Sequence, residues 1–132
     1  MFIDTNTRSI EIGRAGHCPT LFYSNLDERL EYVHNKGLGL GILRNANYSQ
    51  HIEIYSRTYN KNDVVFLFTD GLIESKNDQN HEYGYNRLLS EISGVIDLSP
   101  VQIVQSSVKK MYDFCGDVIP DDDITCLCLK FN

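Results

Sequence analysis

The sequence lacks the features that mark membrane, secreted and nucleic-acid-binding proteins. No segment approaches the roughly 18 consecutive apolar residues that a membrane-spanning helix needs, and the N-terminal stretch has no signal-peptide pattern. Lys and Arg number 12 against 18 Asp and Glu, the net charge is -6, and no basic run is present. Because an acidic surface repels phosphate backbones, we expect no nucleic-acid partner unless metal ions mediate the contact. We therefore expect a cytoplasmic protein without a membrane segment.

Cysteine is scarce and is not arranged as a metal-binding motif. None of the four cysteines forms a C-x-x-C pair. Cys126 and Cys128 are two positions apart in a predicted strand, so both side chains should point to one face. Buried thiols are the simplest interpretation, and a zinc site or a disulfide is the alternative.

The composition fits one globular domain of the α+β class. The chain has 132 residues, of which 42% are hydrophobic and 23% are charged. Apolar residues alternate in several short segments, which predicts strands joined by turns, and two helices follow late in the chain. The first helix is predicted over residues 85–92, with Gly94 as its stop, and the second begins with Ser99 as N-cap and ends before Gly116.

A central strand is predicted at Val64–Phe68, where five apolar residues follow one another without a charge. The strand ends at Thr69 and is followed by Asp70 and Gly71. An Asp-Gly pair after a strand is typical of an ordinary turn, but the carboxylate can also hold a ligand at the strand's end. The sequence up to this point leaves both interpretations open.

A second group of carboxylates, Asp121, Asp122 and Asp123, precedes the final strand predicted over residues 124–131. In an extended segment the side chain of Asp122 would point away from those of Asp121 and Asp123. Either Asp122 alone or the other two can therefore face a common site. If this strand pairs with the central one, Asp70 and part of the triplet could bind a hard cation such as Mg²⁺ or Mn²⁺. The alternative is a solvated acidic turn.

A glycine-rich segment, G-L-G-L-G at residues 37–41, raises the question of nucleotide binding. The Lys-Ser/Thr of a P-loop is absent, and no amphipathic helix begins after the segment. We therefore predict a tight reversal or a mobile flap rather than a phosphate-binding loop.

Five short motifs together carry a family resemblance. They are A-G-H-C-P at 15–19, G-L-G-L-G-I at 37–42, F-L-F-T-D-G-L-I-E-S at 66–75, Y-G-Y-N-R-L at 83–88 and D-D-I-T at 122–125. In this order they resemble the motifs of metal-dependent protein phosphatases (PPM), in particular the bacterial SpoIIE/RsbU-like serine phosphatases. The resemblance implies part of an α-β-β-α sandwich, with two mostly antiparallel sheets flanked by helices.

The resemblance also implies a site and a reaction. Asp70 and Asp122 match the family's metal ligands and so would be the catalytic residues, in a site that holds two Mn²⁺ or Mg²⁺ ions in the family. Asp123 would support them, Gly71 would let the backbone pass close to the metal, and His17 would be a structural or near-site hydrogen-bonding residue. The implied reaction is hydrolysis of a phosphoserine or phosphothreonine ester by metal-activated water. The usual substrates of this branch are phosphorylated anti-sigma-factor antagonists, which suggests a signalling role.

One departure from the family changes these expectations. The D-x-x-G-H-G-like segment that supplies the bridging Asp is absent from the sequence. We therefore expect residues 1–132 to be a single, N-terminally truncated phosphatase domain with little or no activity alone. Missing strands would leave exposed sheet edges, which favours a homodimer. The alternatives are a non-catalytic regulatory or binding module descended from the fold and, less favoured, an unrelated α+β binding domain.

Overall fold

The computed structural model describes residues 1–43 and 47–132, and these residues form seven strands and three α-helices. Residues 48–51 add one turn of 3₁₀ helix. None of the described helices is long and apolar enough to cross a membrane. The strands are β1 (Phe2–Asp4), β2 (Ser9–Gly13), β3 (Thr20–Ser24), β4 (Arg29–Val33), β5 (Ile54–Thr58), β6 (Val64–Phe68) and β7 (Cys126–Lys130). The helices are α1 (Asp70–Glu74), α2 (Gly84–Val95) and α3 (Pro100–Cys115).

The strands form two antiparallel sheets that pack face to face. Sheet A has the order β1-β2-β5, and sheet B has the order β4-β3-β6-β7. Alternate residues of β2, such as Ile10 and Ile12, point inward and meet Phe22 and Val65 of sheet B in one buried cluster. The alternation in the sequence therefore predicts the inner face of sheet A correctly.

Helices α2 and α3 cover the other face of sheet B. A second core cluster joins Phe66 and Phe68 of β6 to Leu88, Ile103 and Met111 of the helices. On sheet A, by contrast, Phe2 is 61% exposed and Ile54 is 54% exposed. The prediction of an α+β sandwich is confirmed, and in residues 1–43 and 47–132 the helices pack on sheet B.

The predicted central strand is confirmed, since β6 lies between β3 and β7 and is buried on both faces. The final strand is shorter than predicted, because β7 begins only at Cys126. Cys126 and Cys128 point together toward the helical layer, where burial raises the pKa of each thiol to about 11. All four cysteines are free thiols.

The end of α2 corrects one prediction. Gly94 lies inside the helix, which continues to Val95, so Gly94 is not the stop. The ammonium group of Lys130 instead donates hydrogen bonds to the carbonyls of Ile96, Asp97 and Leu98, at 3.0, 3.1 and 3.1 Å. A cation from β7 thus satisfies the carbonyl groups that follow the helix, which a local sequence pattern cannot reveal. The second helix begins as predicted, with a capping box formed by Ser99 and Gln102.

A buried carboxylate fixes the start of β6. Asp63 has no exposed surface, and its two oxygens accept hydrogen bonds from the backbone N–H groups of Asn25 at 2.7 Å and Asn60 at 2.8 Å. Asn25 lies in the turn between β3 and β4, and Asn60 lies in the turn before β6. One side chain therefore joins two turns that are distant in the sequence, and each hydrogen bond offsets part of the cost of burying the carboxylate.

The glycine-rich segment packs directly on the chain that leaves β2. A Cβ atom on Gly37 would lie 1.7 Å from the carbonyl oxygen of Arg14, and one on Gly16 would lie 3.1 Å from the Cα of Gly39. The amide of Asn35 donates to the carbonyls of Ile12 and Glu53, both at 2.8 Å. These contacts favour the predicted tight reversal, in which glycine is needed for close backbone approach.

We expect Gly37→Ala to lower the free energy of unfolding by about 1–3 kcal/mol, because a methyl group would overlap the Arg14 backbone. The matched control is Gly94→Ala, where the added Cβ meets nothing within 4 Å. Since Gly94 lies in a helix, alanine there should stabilise the protein by up to about 1 kcal/mol. Urea unfolding of both variants measures the two effects, and equal stabilities would contradict the proposed packing of the loop.

Candidate functional site

Asp70 is the first residue of α1, which begins where β6 ends. Thr69 is extended, with φ -83° and ψ 160°, and acts as the N-cap residue. An ordinary turn was one of the two interpretations left open for Asp70 and Gly71, and the structure shows a short helix there instead. Burial of Leu72 and Ile73 in the core holds these five residues in the helix. Such a short helix contains no full apolar period, so periodicity could not predict it.

Thr69 ties the end of β6 to the segment that precedes β7. Its hydroxyl donates to the carbonyl of Asp123 at 2.9 Å and accepts from the N–H of Thr125 at 2.9 Å. Its own N–H donates to the carbonyl of Thr125 at 3.0 Å. These three hydrogen bonds place the acidic segment beside the start of α1.

Gly71 makes the closest approach between α1 and the acidic segment. It is buried, and a Cβ atom there would lie 2.6 Å from the carbonyl oxygen of Asp123 and 3.2 Å from that of Asp122. The sequence predicted that Gly71 permits a close backbone approach to a metal. The approach that the structure shows is to the backbone of Asp122 and Asp123, and any side chain would push that segment away.

The acidic segment is not part of a strand. Residues 121 and 122 form a bend, and the carboxylate of Asp122 accepts a hydrogen bond from the N–H of Asp123 at 2.7 Å. The prediction that strand alternation separates Asp122 from its neighbours is therefore wrong. All three carboxylates are exposed, and a cavity of about 100 Å³ lies between this segment and α1, lined in part by Gly71, Lys76, Asp121 and Asp122.

The structure thus brings the backbones that carry Asp70 and Asp122 together, and both residues are exposed. Carboxylate oxygens are the hard donors that suit Mg²⁺ and Mn²⁺. Within residues 1–43 and 47–132, however, no group of three or more His, Cys, Asp or Glu side chains is arranged to hold a metal ion. The donors fit such an ion in type but are too few to surround it.

His17 lies in the bend that precedes β3. Leu21 of β3 pairs with Phe66 of β6, so the chain just before β3 runs beside the residues just after β6. Burial raises the pKa of the Cys18 thiol, and Asp70 is close enough to contribute to the same rise. His17 itself is exposed, and its Nδ1 donates to the carbonyl of Cys18 at 3.1 Å. The contact that the structure shows for His17 is thus a local hydrogen bond, in the segment that leads into β3.

An aromatic cluster behind the site was not found from the sequence. The rings of Tyr32 and Tyr85 meet edge to face with centroids 5.2 Å apart, and Phe68 packs against both. The hydroxyl of Tyr32 donates to the carbonyl of Tyr85 at 2.8 Å, and burial raises the pKa of Tyr32. These contacts join β4, β6 and α2, which are too far apart in the chain for any local pattern to signal them.

Comparison with known proteins identifies the family. The sequence model of the family "Stage II sporulation protein E (SpoIIE)" matches residues 1–132. The chain belongs to the SpoIIE family. It is 29% identical over 121 residues to the phosphoserine phosphatase RsbU of Bacillus subtilis (strain 168), a match that covers 88% of this chain and 33% of RsbU. The resemblance found in the sequence motifs is therefore confirmed.

Solved structures of SpoIIE-type phosphatases share the fold. The Mn-presoaked phosphatase domain of SpoIIE from Bacillus subtilis superimposes with a TM-score of 0.72 at 15% identity, covering 99% of this chain and 54% of that chain. The PP2C domain of SiaA from Pseudomonas aeruginosa gives 0.75 at 19% identity, covering 98% and 49%. The RsbU and RsbW domains of a Mycobacterium tuberculosis protein give 0.74 at 22% identity, covering 97% and 34%. This SpoIIE-family chain thus spans about a third of RsbU and about a third to a half of these structures.

We expect Thr69→Val to lower the free energy of unfolding by about 1–3 kcal/mol. Valine keeps the side chain's shape but removes the hydroxyl that hydrogen-bonds the backbone of Asp123 and Thr125. Thr69→Ser keeps the hydroxyl and should retain most of the stability. Thermal unfolding of the three proteins measures the difference, and a serine variant as unstable as the valine variant would show that the hydroxyl does not make the connection.

Proposed function

We propose that residues 1–132 form the C-terminal part of a protein phosphatase domain that hydrolyses phosphoserine or phosphothreonine esters. The observation that carries this proposal is the hydrogen bonding of Thr69 to the segment before β7, which brings Asp70 and Asp122 to one end of the sheets in a chain of the SpoIIE family. The similarity to RsbU, which is named a phosphoserine phosphatase, supports the reaction class.

In this proposal Asp70 and Asp122 hold Mn²⁺ or Mg²⁺. When bound, such ions would activate water and offset the charge of the phosphoryl group. Asp123 supports the site through its backbone contact with Thr69, and Gly71 keeps α1 close to the acidic segment. His17 is a near-site residue that shapes the neighbouring turn. Two carboxylates do not complete the coordination of such an ion, so water and other oxygen ligands would be needed beside them, and we expect the chain alone to have little or no activity.

The proposed substrate is a phosphorylated protein of the anti-sigma-factor antagonist type. The family and the similarity to RsbU support this choice, and so does the fold shared with the RsbU and RsbW domains of the Mycobacterium tuberculosis protein. Such a signalling role would fit a cytoplasmic protein, and the four free cysteines agree with a reducing compartment.

A second function is a non-catalytic regulatory or binding module built on the same fold. The specific observation in its favour is the donor set: in the described part of the chain the two carboxylates have no third ligand, and the sequence has no D-x-x-G-H-G segment. Metal binding distinguishes the two functions, because a module that no longer catalyses has no need to keep two acids converging on one ion.

Calorimetric titration with Mn²⁺ tests the proposed site. We expect the chain to bind Mn²⁺ weakly, and Asp70→Asn and Asp122→Asn each to abolish the binding, since each removes one of two anionic ligands. Turnover of p-nitrophenyl phosphate measured in parallel should be low or absent for the chain by itself.

The matched control for this titration is Asp113→Asn, which removes an exposed carboxylate that pairs with Lys109 on α3. This variant should bind Mn²⁺ like the unaltered chain. If all three variants and the unaltered chain give the same heat of binding, or if none binds, the two acids do not form a metal site here. The chain would then have to be regarded as a binding module.

We further propose that two copies of the chain associate through exposed sheet edges. β7 is an edge strand of sheet B, and its Leu127 is 46% exposed. Unpaired edge strands offer backbone hydrogen bonds to a second copy, and charged residues on an edge suppress such pairing.

Light scattering should therefore show that the average molar mass of the unaltered chain rises with protein concentration. The molar mass of Leu127→Lys should stay closer to that of the monomer. Val101→Lys, at an exposed apolar position on α3, is the control, and a constant monomer mass would contradict the proposal.

A further inference from the structure

Arg14 carries a buried polar atom that no neighbour satisfies. Its Nε is buried and has no hydrogen-bond partner among residues 1–43 and 47–132. The ion pairs in this part of the chain involve Arg29, Arg57 and Lys109 and leave Arg14 out. Since leaving a buried donor unpaired costs free energy, such groups call for an explanation, and a ligand is one that chemistry can test.

Arg14 lines a cavity at the end of the two sheets. The cavity has a volume of about 290 Å³, and His17, Cys18 and Thr20 line it together with Ile12 and Leu67. The pairing of β3 with β6 sets this wall beside the start of α1. Both Arg14 and Asp70 are close enough to Cys18 to influence the pKa of its thiol. Leu67 of β6 lines the cavity and Asp70 follows it three residues later, so the cavity lies at the end of sheet B where α1 begins, and Asp70 and Asp122 are not among its lining residues.

The backbone around Arg14 is held firmly in place. Gly37 packs on the carbonyl of Arg14, and its added Cβ would also lie 3.1 Å from the Cβ of Arg14. Asn35 hydrogen-bonds the carbonyl of Ile12, two residues earlier, and Gly39 contacts Gly16, two residues later. The glycine-rich segment thus fixes the backbone of Arg14, whose side chain lines the cavity. A fixed backbone lowers the conformational entropy that is lost when a ligand binds.

A guanidinium group is well suited to an oxyanion. Its N–H groups form a planar fork that matches two phosphate oxygens, and such hydrogen bonds are strengthened by charge. A phosphoryl group beside Asp70 carries negative charge that acidic residues alone would repel. Arg14, on the cavity wall, supplies that attraction through its positive charge.

We propose that Arg14 binds the phosphoryl oxygens of the phosphoserine or phosphothreonine side chain in the cavity beside Asp70. The identity of this substrate rests on the proposed function, whereas the anion site rests on the cavity and on Arg14 itself. Arg14 is then a substrate-binding residue, and the glycine-rich segment positions it without contacting the phosphate.

Nuclear magnetic resonance of the ¹⁵N-labelled chain tests the anion site directly. The probes are inorganic phosphate and O-phosphoserine, each titrated with and without Mg²⁺, and the signal is the Nε–Hε resonance of Arg14, assigned by its loss in Arg14→Lys. We expect a saturable shift of this resonance. Arg14→Lys, which keeps the charge but lacks the fork, and Arg14→Gln should each weaken phosphate binding at least about tenfold.

The control variant is Arg29→Gln, which removes an exposed arginine paired with Glu31 at 2.6 Å and should leave phosphate affinity unchanged. An Arg14 resonance that does not move, or equal affinities in the Arg14 variants and the unaltered chain, would overturn the proposal. The Mn²⁺ titration of the Asp70 and Asp122 variants has an independent outcome. Phosphate binding at Arg14 without metal binding would therefore count against the phosphatase function and not against the anion site.

Discussion

The antiparallel pairing of β6 with β7 is the constraint on which the site depends. The register matches Phe68 with Cys126, so the residues that follow β6 and those that precede β7 emerge at the same end of sheet B. Thr69 then continues the connection beyond the strands through its hydroxyl and backbone. A shift of this register by one residue would turn the inward side chains outward and separate the two acidic positions, so burial of the sheet indirectly enforces the geometry of the site.

Close backbone packing gives the site its second support. Gly71 allows α1 to contact the acidic segment, and Gly37 allows the glycine-rich segment to contact Arg14. Both positions are places where a side chain would overlap backbone atoms, so glycine is required there by space rather than by flexibility.

The backbone around Asp70 and Asp122 is therefore fixed by close packing, but few metal-binding side chains are present. The described residues place two carboxylates near each other in a fold shared with SpoIIE-type phosphatase domains, yet they provide no third metal-binding side chain. The chain covers about a third to a half of the solved relatives. On the outer face of sheet A, Phe2 and Ile54 are exposed.

The sequence by itself determined the elements whose signals are local. The apolar run of β6, the alternation of β2 and the capping box of α3 follow from residue type and spacing, and the ordered motifs identified the family. Only the tertiary structure decided that Asp70 begins a helix and that Lys130 closes α2. It also decided that the acidic segment is a bend and that Arg14 faces a cavity unpaired. These features arise from contacts between residues far apart in the chain, which no periodicity within one segment can encode.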